Sequence, residues 1–223
     1  MIIAQRKPLD EIKQMISGYK KVLIVGCGTC VTVCAAGGEK EVAILSKALS
    51  MTFKLENKEI KILEATIERQ CEWEFIEKLK EKVDEEVEAI LSMGCGIGVQ
   101  AIAERFKTLP VYPALNTSFL GLPKEHGEWV ERCSACGDCI LHLTASICPV
   151  TRCAKSLFNG PCGGSKDGKC EVSIDTDCAW QLIYDRLKSL NKLNMLEDIL
   201  PVKDWSTSSS AGQRRIIRED LKL

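Results

Sequence analysis

Two spacings of apolar residues alternate along the first half of the chain. Over residues 9–19 (LDEIKQMISGY), Leu9, Ile12, Met15 and Ile16 recur at three- and four-residue intervals behind an acidic start, which predicts an amphipathic helix. Lys21 to Gly26 (KVLIVG) is instead a short β-branched run that stops on glycine, and Gly37 to Ser50 returns to helical periodicity. The alternation continues with strand-like 60–66, helical 72–83, strand-like 88–93, helical 97–106 and a last short strand beginning at Val111. Alternating β and α units at this spacing predict a parallel sheet covered by helices, a Rossmann- or flavodoxin-like α/β domain over residues 1–122.

The pattern changes after Pro123. A polar joint (KEHGEWVER) leads into residues 133–178, which hold eight of the thirteen cysteines. Cys133, Cys136 and Cys139 stand at two-residue intervals and Cys148 directly precedes Pro149. A C-x-x-C-x-x-C run puts three thiolates on one tight loop and a later Cys-Pro adds another from a turn, the arrangement that cubane iron–sulfur clusters use. Cys153 and Cys162 follow in loops dense with Gly and Pro, which expose backbone amides toward sulfur, and Cys170 and Cys178 complete the eight. Eight thiols are the number two four-cysteine clusters require. The segment 123–190 is therefore expected to be a small ferredoxin-like iron–sulfur module. Within it, Ile140–Ile147 is apolar enough to be a packed helix or turn, with His142 expected as a core or hydrogen-bonded histidine; His126 is expected in solvent. Residues 177–190 carry Trp180, Ile183, Tyr184, Leu187 and Leu190 at helical spacing, with Asp177 as the expected N-cap. Residues 191–223 read as a tail with a Ser-rich hinge at 206–212, suited to docking on a partner.

Composition narrows the function classes. A net charge of −1 with 27% charged residues favours neither nucleic acid nor an anionic membrane. No stretch of 18 apolar residues occurs and the N-terminus lacks a signal-peptide core, so a cytoplasmic, soluble protein without a membrane span is expected. In that compartment thiols stay reduced, and cysteines at C-x-x-C spacing point to metal rather than disulfides. Arg152, Lys155, Lys166 and Lys169 near the cluster loops read as a solvated face that could also offset cluster charge.

The other five cysteines, Cys27, Cys30, Cys34, Cys71 and Cys95, follow three successive strands of the α/β domain. Loops at the carboxyl ends of strands line the ligand crevice of open α/β sheets, so these thiols are expected to meet at one edge and to hold a further cluster. Four places are open to five thiols there, and Cys27 or Cys30 is the expected surplus, because Cys71 and Cys95 are each the only thiol of their loop. Gly26-Cys27-Gly28 and Gly94-Cys95-Gly96 frame cysteines at strand-to-helix turns, where glycine permits close approach and helix amides stabilise thiolate. Neither stretch completes a dinucleotide fingerprint. Asn116 and Thr117, after the fourth strand, face the same crevice as candidate cofactor contacts, with a turn or helix cap as the simpler reading.

Cys27-Gly28-Thr29-Cys30, Cys95 in MGCGIGVQ, PALNT, and CPVTRCAKSLFNGPCGGSKDGKCEV followed by DCAWQLIYDRL together resemble the MetV-type iron–sulfur partner subunit of methylenetetrahydrofolate reductase. The resemblance runs over residues 21–190, with LFNGPCGGS its most specific part. It implies an electron-relay subunit carrying two to three [4Fe–4S] clusters, which serves a separate MetF-type TIM-barrel flavoprotein whose FMN reduces methylene-tetrahydrofolate to methyl-tetrahydrofolate. Ferredoxin or another donor subunit would supply the electrons. The chain is too short for such a barrel and is not expected to catalyse the folate step alone. Two other classes remain open from the residues: a Cys₄ zinc module, with zinc in place of one cluster, and a methyl-transfer component using a thiol of the N-terminal crevice.

Overall fold

A computed structural model describes residues 1–209 and 212–221; residues 210, 211, 222 and 223, including part of the expected Ser-rich hinge, lie outside the described residues. The chain divides into two compact units, Met1–Val130 and Glu131–Leu223.

The first unit is built on a four-stranded parallel sheet of β2 (Lys21–Cys27), β3 (Lys61–Ile67), β4 (Ala89–Ser92) and β5 (Val111–Pro113), in the order β3-β2-β4-β5. All seven residues of β2 are buried, as expected of a central parallel strand covered on both faces. Its side chains divide by the two-residue period. Val22 and Ile24 enter a core with Ile12 and Ile16 of α1 (Leu9–Ile16) and Val42, Leu45, Leu49 and Phe53 of α3 (Glu39–Leu55). Leu23 and Val25 face Ile76 and Leu79 of α4 (Trp73–Leu79) and Ile102 of α5 (Gly96–Arg105). Each such side chain contributes about 1.5–3 kcal/mol on burial. Lys21 begins β2 in a buried position because its ammonium reaches Asp84 at 2.6 Å and Glu86 at 2.7 Å.

A second sheet in this unit departs from the sequence expectation. Residues 2–6 form β1, which pairs antiparallel with an eleven-residue strand β6 (Leu115–Glu125), and β7 (Glu128–Cys133) completes the order β1-β6-β7. The polar stretch read as a joint is thus a hairpin turning at His126 and Gly127. Seven of the eleven residues of β6 are exposed, in two consecutive runs, so no two-residue period shows in its sequence, while Ile3, Ala4 and Leu115 pack into the α1/α3 core.

In the second unit regular structure is sparse: α6 (Pro149–Arg152), the short pair β8 (Lys169–Cys170) and β9 (Ser173–Asp177), and α7 (Ala179–Ser189). Trp180, Ile183 and Leu187 of α7 form the core with Ile147, Leu157, Leu193 and Met195, and the Trp180 indole donates to Leu157 O at 2.9 Å. The helix is capped by Cys178, not Asp177, which pairs instead with Lys169 across the β8/β9 ribbon at 2.7 Å. Residues 141–146 are a series of turns, in which Thr144 is buried and His142 is exposed rather than packed. Among the described residues no helix is long and apolar enough to cross a membrane.

Candidate metal centres

The order β3-β2-β4-β5 places a topological switch point between β2 and β4. From this central pair one crossover runs outward through α3 to β3 and another through α5 to β5, so a crevice opens at the strands' carboxyl ends. Cys27 is the last residue of β2, Cys95 is the N-cap of α5 just after β4, and Cys71 lies in the turn between β3 and α4. Three thiols from three chain segments therefore meet at this crevice. Cys71 is exposed as a residue, yet partial burial of its thiol, and then the neighbouring Cys95 and Cys27 sulfurs, hold it above the ordinary thiol range.

The remaining two thiols of this unit sit at the two ends of one helical turn. Cys30 begins the single-turn α2 (Cys30–Val33), and Cys34 at its end is buried against β1, its sulfur 3.6 Å from Ala4 O. Burial pushes the Cys34 thiol up, with Cys30 adding to the effect. Cys34 is thus a core residue in this structure.

What holds the crevice together is a residue the sequence pattern did not flag. Gln70 is 1% exposed; its amide donates to Val25 O at 2.8 Å and its carbonyl accepts the Ser92 hydroxyl at 2.6 Å, while Ser92 Oγ accepts from Gly94 N at 3.1 Å. One side chain therefore ties the ends of β2 and β4 to the turn carrying Cys71. It also explains Gly94: a Cβ there would sit 2.2 Å from Gln70 Oε1. Thr117 on β6 accepts from Gly96 N at 2.8 Å and so caps α5 from a distant strand, beside Cys95. Asn116 is exposed on β6, in register with Gln5.

In the second unit four thiols line one narrow cavity of about 20 Å³: Cys153, Cys162, Cys170 and Cys178, together with Lys155, Pro161 and Glu171. Lys155 and Glu171 are ion-paired at its wall. The other four, Cys133, Cys136, Cys139 and Cys148, belong to the C-x-x-C-x-x-C loop and the Cys-Pro turn. Ala135 N donates to Cys133 Sγ at 3.3 Å, and Cys148 lies 3.6 Å from the Thr151 hydroxyl. Arg152 is near Cys148, and burial first, then Arg132, lowers its guanidinium from the ordinary value. Left-handed residues interleave with the cysteines: Ala135 and Gly137, Gly160 and Gly163, Asp167 and Gly168. Left-handed residues of this kind are common in the concavities of backbone N–H groups that hold anions. Among the described residues no three metal-ligating side chains stand at coordinating distance of one point. The donor chemistry and backbone nonetheless suit thiolate-bound iron.

These features define an α/β protein with a thiol-lined switch point, continued by a cysteine-rich unit with a four-thiol cavity. Residues 112–206, less than half of the chain, match the family described as methylene-tetrahydrofolate reductase C terminal, so this segment is similar to a domain of methylenetetrahydrofolate reductases. Comparison with curated proteins and with solved structures gave no match.

Proposed function

We propose that this chain is the electron-transfer subunit of a methylenetetrahydrofolate reductase, holding [4Fe–4S] clusters on its cysteines and delivering electrons to the FMN of a MetF-type partner. The observation that carries the reading is the four-thiol cavity of Cys153, Cys162, Cys170 and Cys178, inside the segment matched to the reductase family. Those residues would hold one cluster. Cys133, Cys136, Cys139 and Cys148 would hold a second, and Cys27, Cys71 and Cys95, with Cys30 as the remaining thiol of that loop, a third. When bound, such a group supplies one-electron storage at low potential.

The chain's own residues supply the surroundings. Gln70 and Thr117 fix the crevice loops, the Ala135 amide donates to Cys133 Sγ, and the core around Trp180 excludes water from one side of the cavity. Ferredoxin or a further subunit would be the donor, and the folate step would take place on the partner.

The narrowness of the four-thiol cavity favours one second reading, a tetrahedral Cys₄ zinc at that place. Anaerobic reconstitution of the full chain with iron and sulfide, followed by EPR after dithionite reduction, separates the two. Reduced-cluster signals and transfer of electrons to the flavoprotein support the relay, and a colourless zinc protein without such transfer overturns it.

A further inference from the structure

The tail that the sequence presents as a free arm lies in the structure against the C-x-x-C-x-x-C loop. Lys203 is 3% exposed at its side chain and donates to Asp138 O at 2.9 Å and to Asp138 Oδ2 at 3.2 Å. Thr207 donates its hydroxyl to Cys136 O at 2.9 Å. Arg214 bridges loop and tail with one nitrogen, Nη1 donating to Ala135 O at 2.6 Å and to Thr207 O at 2.9 Å. The contact is close enough to specify a glycine: Gly137 has φ +87°, and a Cβ on it would lie 2.3 Å from Thr207 O. Lys203, Thr207 and Arg214 therefore meet every position between Cys133 and Cys139 that is not itself a cysteine, apart from Ser134.

The two cations differ in what surrounds them. The Lys203 ammonium is neutralised by the Asp138 carboxylate, so its part is to anchor the loop. The Nη1 contacts of Arg214 are neutral carbonyl groups, which orient the guanidinium without cancelling its charge. That leaves a positive charge beside the loop carrying Cys133, Cys136 and Cys139.

We propose that Arg214 is a positioning and charge-setting residue for iron bound at Cys133, Cys136 and Cys139, and that Thr207, with Lys203 anchoring the loop, holds it there. This rests on the cluster assignment above. Reduction adds one electron, and one negative charge, to thiolate-bound iron; a nearby guanidinium stabilises that charge and raises the potential at which a low-potential donor can deliver the electron.

The test is a redox titration followed by EPR on the full chain, reconstituted anaerobically, as wild type, Arg214→Gln, Arg214→Lys and Lys203→Met. Arg214→Gln is expected to keep its iron while one signal moves to lower potential, with the reduced-to-oxidised ratio at the wild-type midpoint falling roughly fivefold. Arg214→Lys should restore most of it. Cys136→Ser should abolish the same signal that Arg214→Gln moves. Lys203→Met should speed removal of iron by a chelator from that site. Full iron with no signal shifted in Arg214→Gln, or a shifted signal that survives Cys136→Ser, overturns the role of Arg214 and leaves the cluster assignment standing. A wild-type chain that binds no iron overturns both.

Discussion

Replacing Gln70 tests whether the crevice is a built site. Gln70→Ala removes two buried hydrogen bonds, to Val25 O and from Ser92 Oγ. Val25 O keeps Met93 N at 2.8 Å and Ser92 Oγ keeps Gly94 N, so the new deficit is one buried hydroxyl donor without its acceptor. Two lost bonds at about 1 kcal/mol each, plus about 1 kcal/mol for the stranded hydroxyl, give ~3 kcal/mol. In a chain of this size that lowers the melting temperature by roughly 6–12 °C. Gly94→Ala attacks the same contact from the other side, since its Cβ would meet Gln70 Oε1 at 2.2 Å and displace the amide from Ser92. Alone it is expected to cost about 2 kcal/mol; added to Gln70→Ala it should cost well under 1 kcal/mol, because the obstructing group is gone. Urea or thermal unfolding of the four metal-free proteins by circular dichroism measures the cycle. Additive losses would refute the reasoning, for they would mean that Gly94 and Gln70 act independently.

Further outcomes follow from the same geometry. Cys95→Ser should lower bound iron by about one cluster, whereas Cys34→Ser should leave iron unchanged; iron lost from Cys34→Ser would show that α2 rearranges to use it. Burial raises the Cys34 thiol above its ordinary value of 9.0, so the folded metal-free chain keeps a proton that the unfolded chain releases. The stability this confers is complete below that value and falls as pH rises through the raised one; urea unfolding at pH 8 and 10 should show the loss, and Cys34→Val should reduce it. Gly137→Ala must adopt φ +87° and push Thr207 away, so ~2 kcal/mol of destabilisation and faster proteolysis between residues 203 and 214 are expected.

The parallel sheet was legible because β2 and β4 are continuous apolar runs flanked by amphipathic helices. The meeting of Cys27, Cys71 and Cys95 followed from their places after successive strands. Strands β1, β6 and β7 were not legible, since half of their residues face solvent and two of them pair between distant parts of the chain, Ile2 opposite Leu120. Glycines 94 and 96 were visible as special but their reasons were not: neither takes a positive φ, and Gly94 makes room for Gln70, a contact between separate chain segments. The surplus thiol of the first unit was expected at Cys27 or Cys30; the burial of Cys34 against β1 was not legible, because it depends on a strand that the sequence pattern does not show. Nor could composition place the tail, whose Ser-rich stretch reads as a hinge while Lys203 and Arg214 are held by backbone carbonyls of the cysteine loop.

The measurement that bears most directly on the account is iron and acid-labile sulfide per chain, after anaerobic reconstitution, for the wild type and for Cys162→Ser. About twelve iron with matching sulfide, falling by about four in Cys162→Ser while the Cys136-dependent signal persists, is the expected result. Zinc without sulfide, or iron unchanged by the substitution, would contradict the assignment of a cluster to the four-thiol cavity and with it the relay.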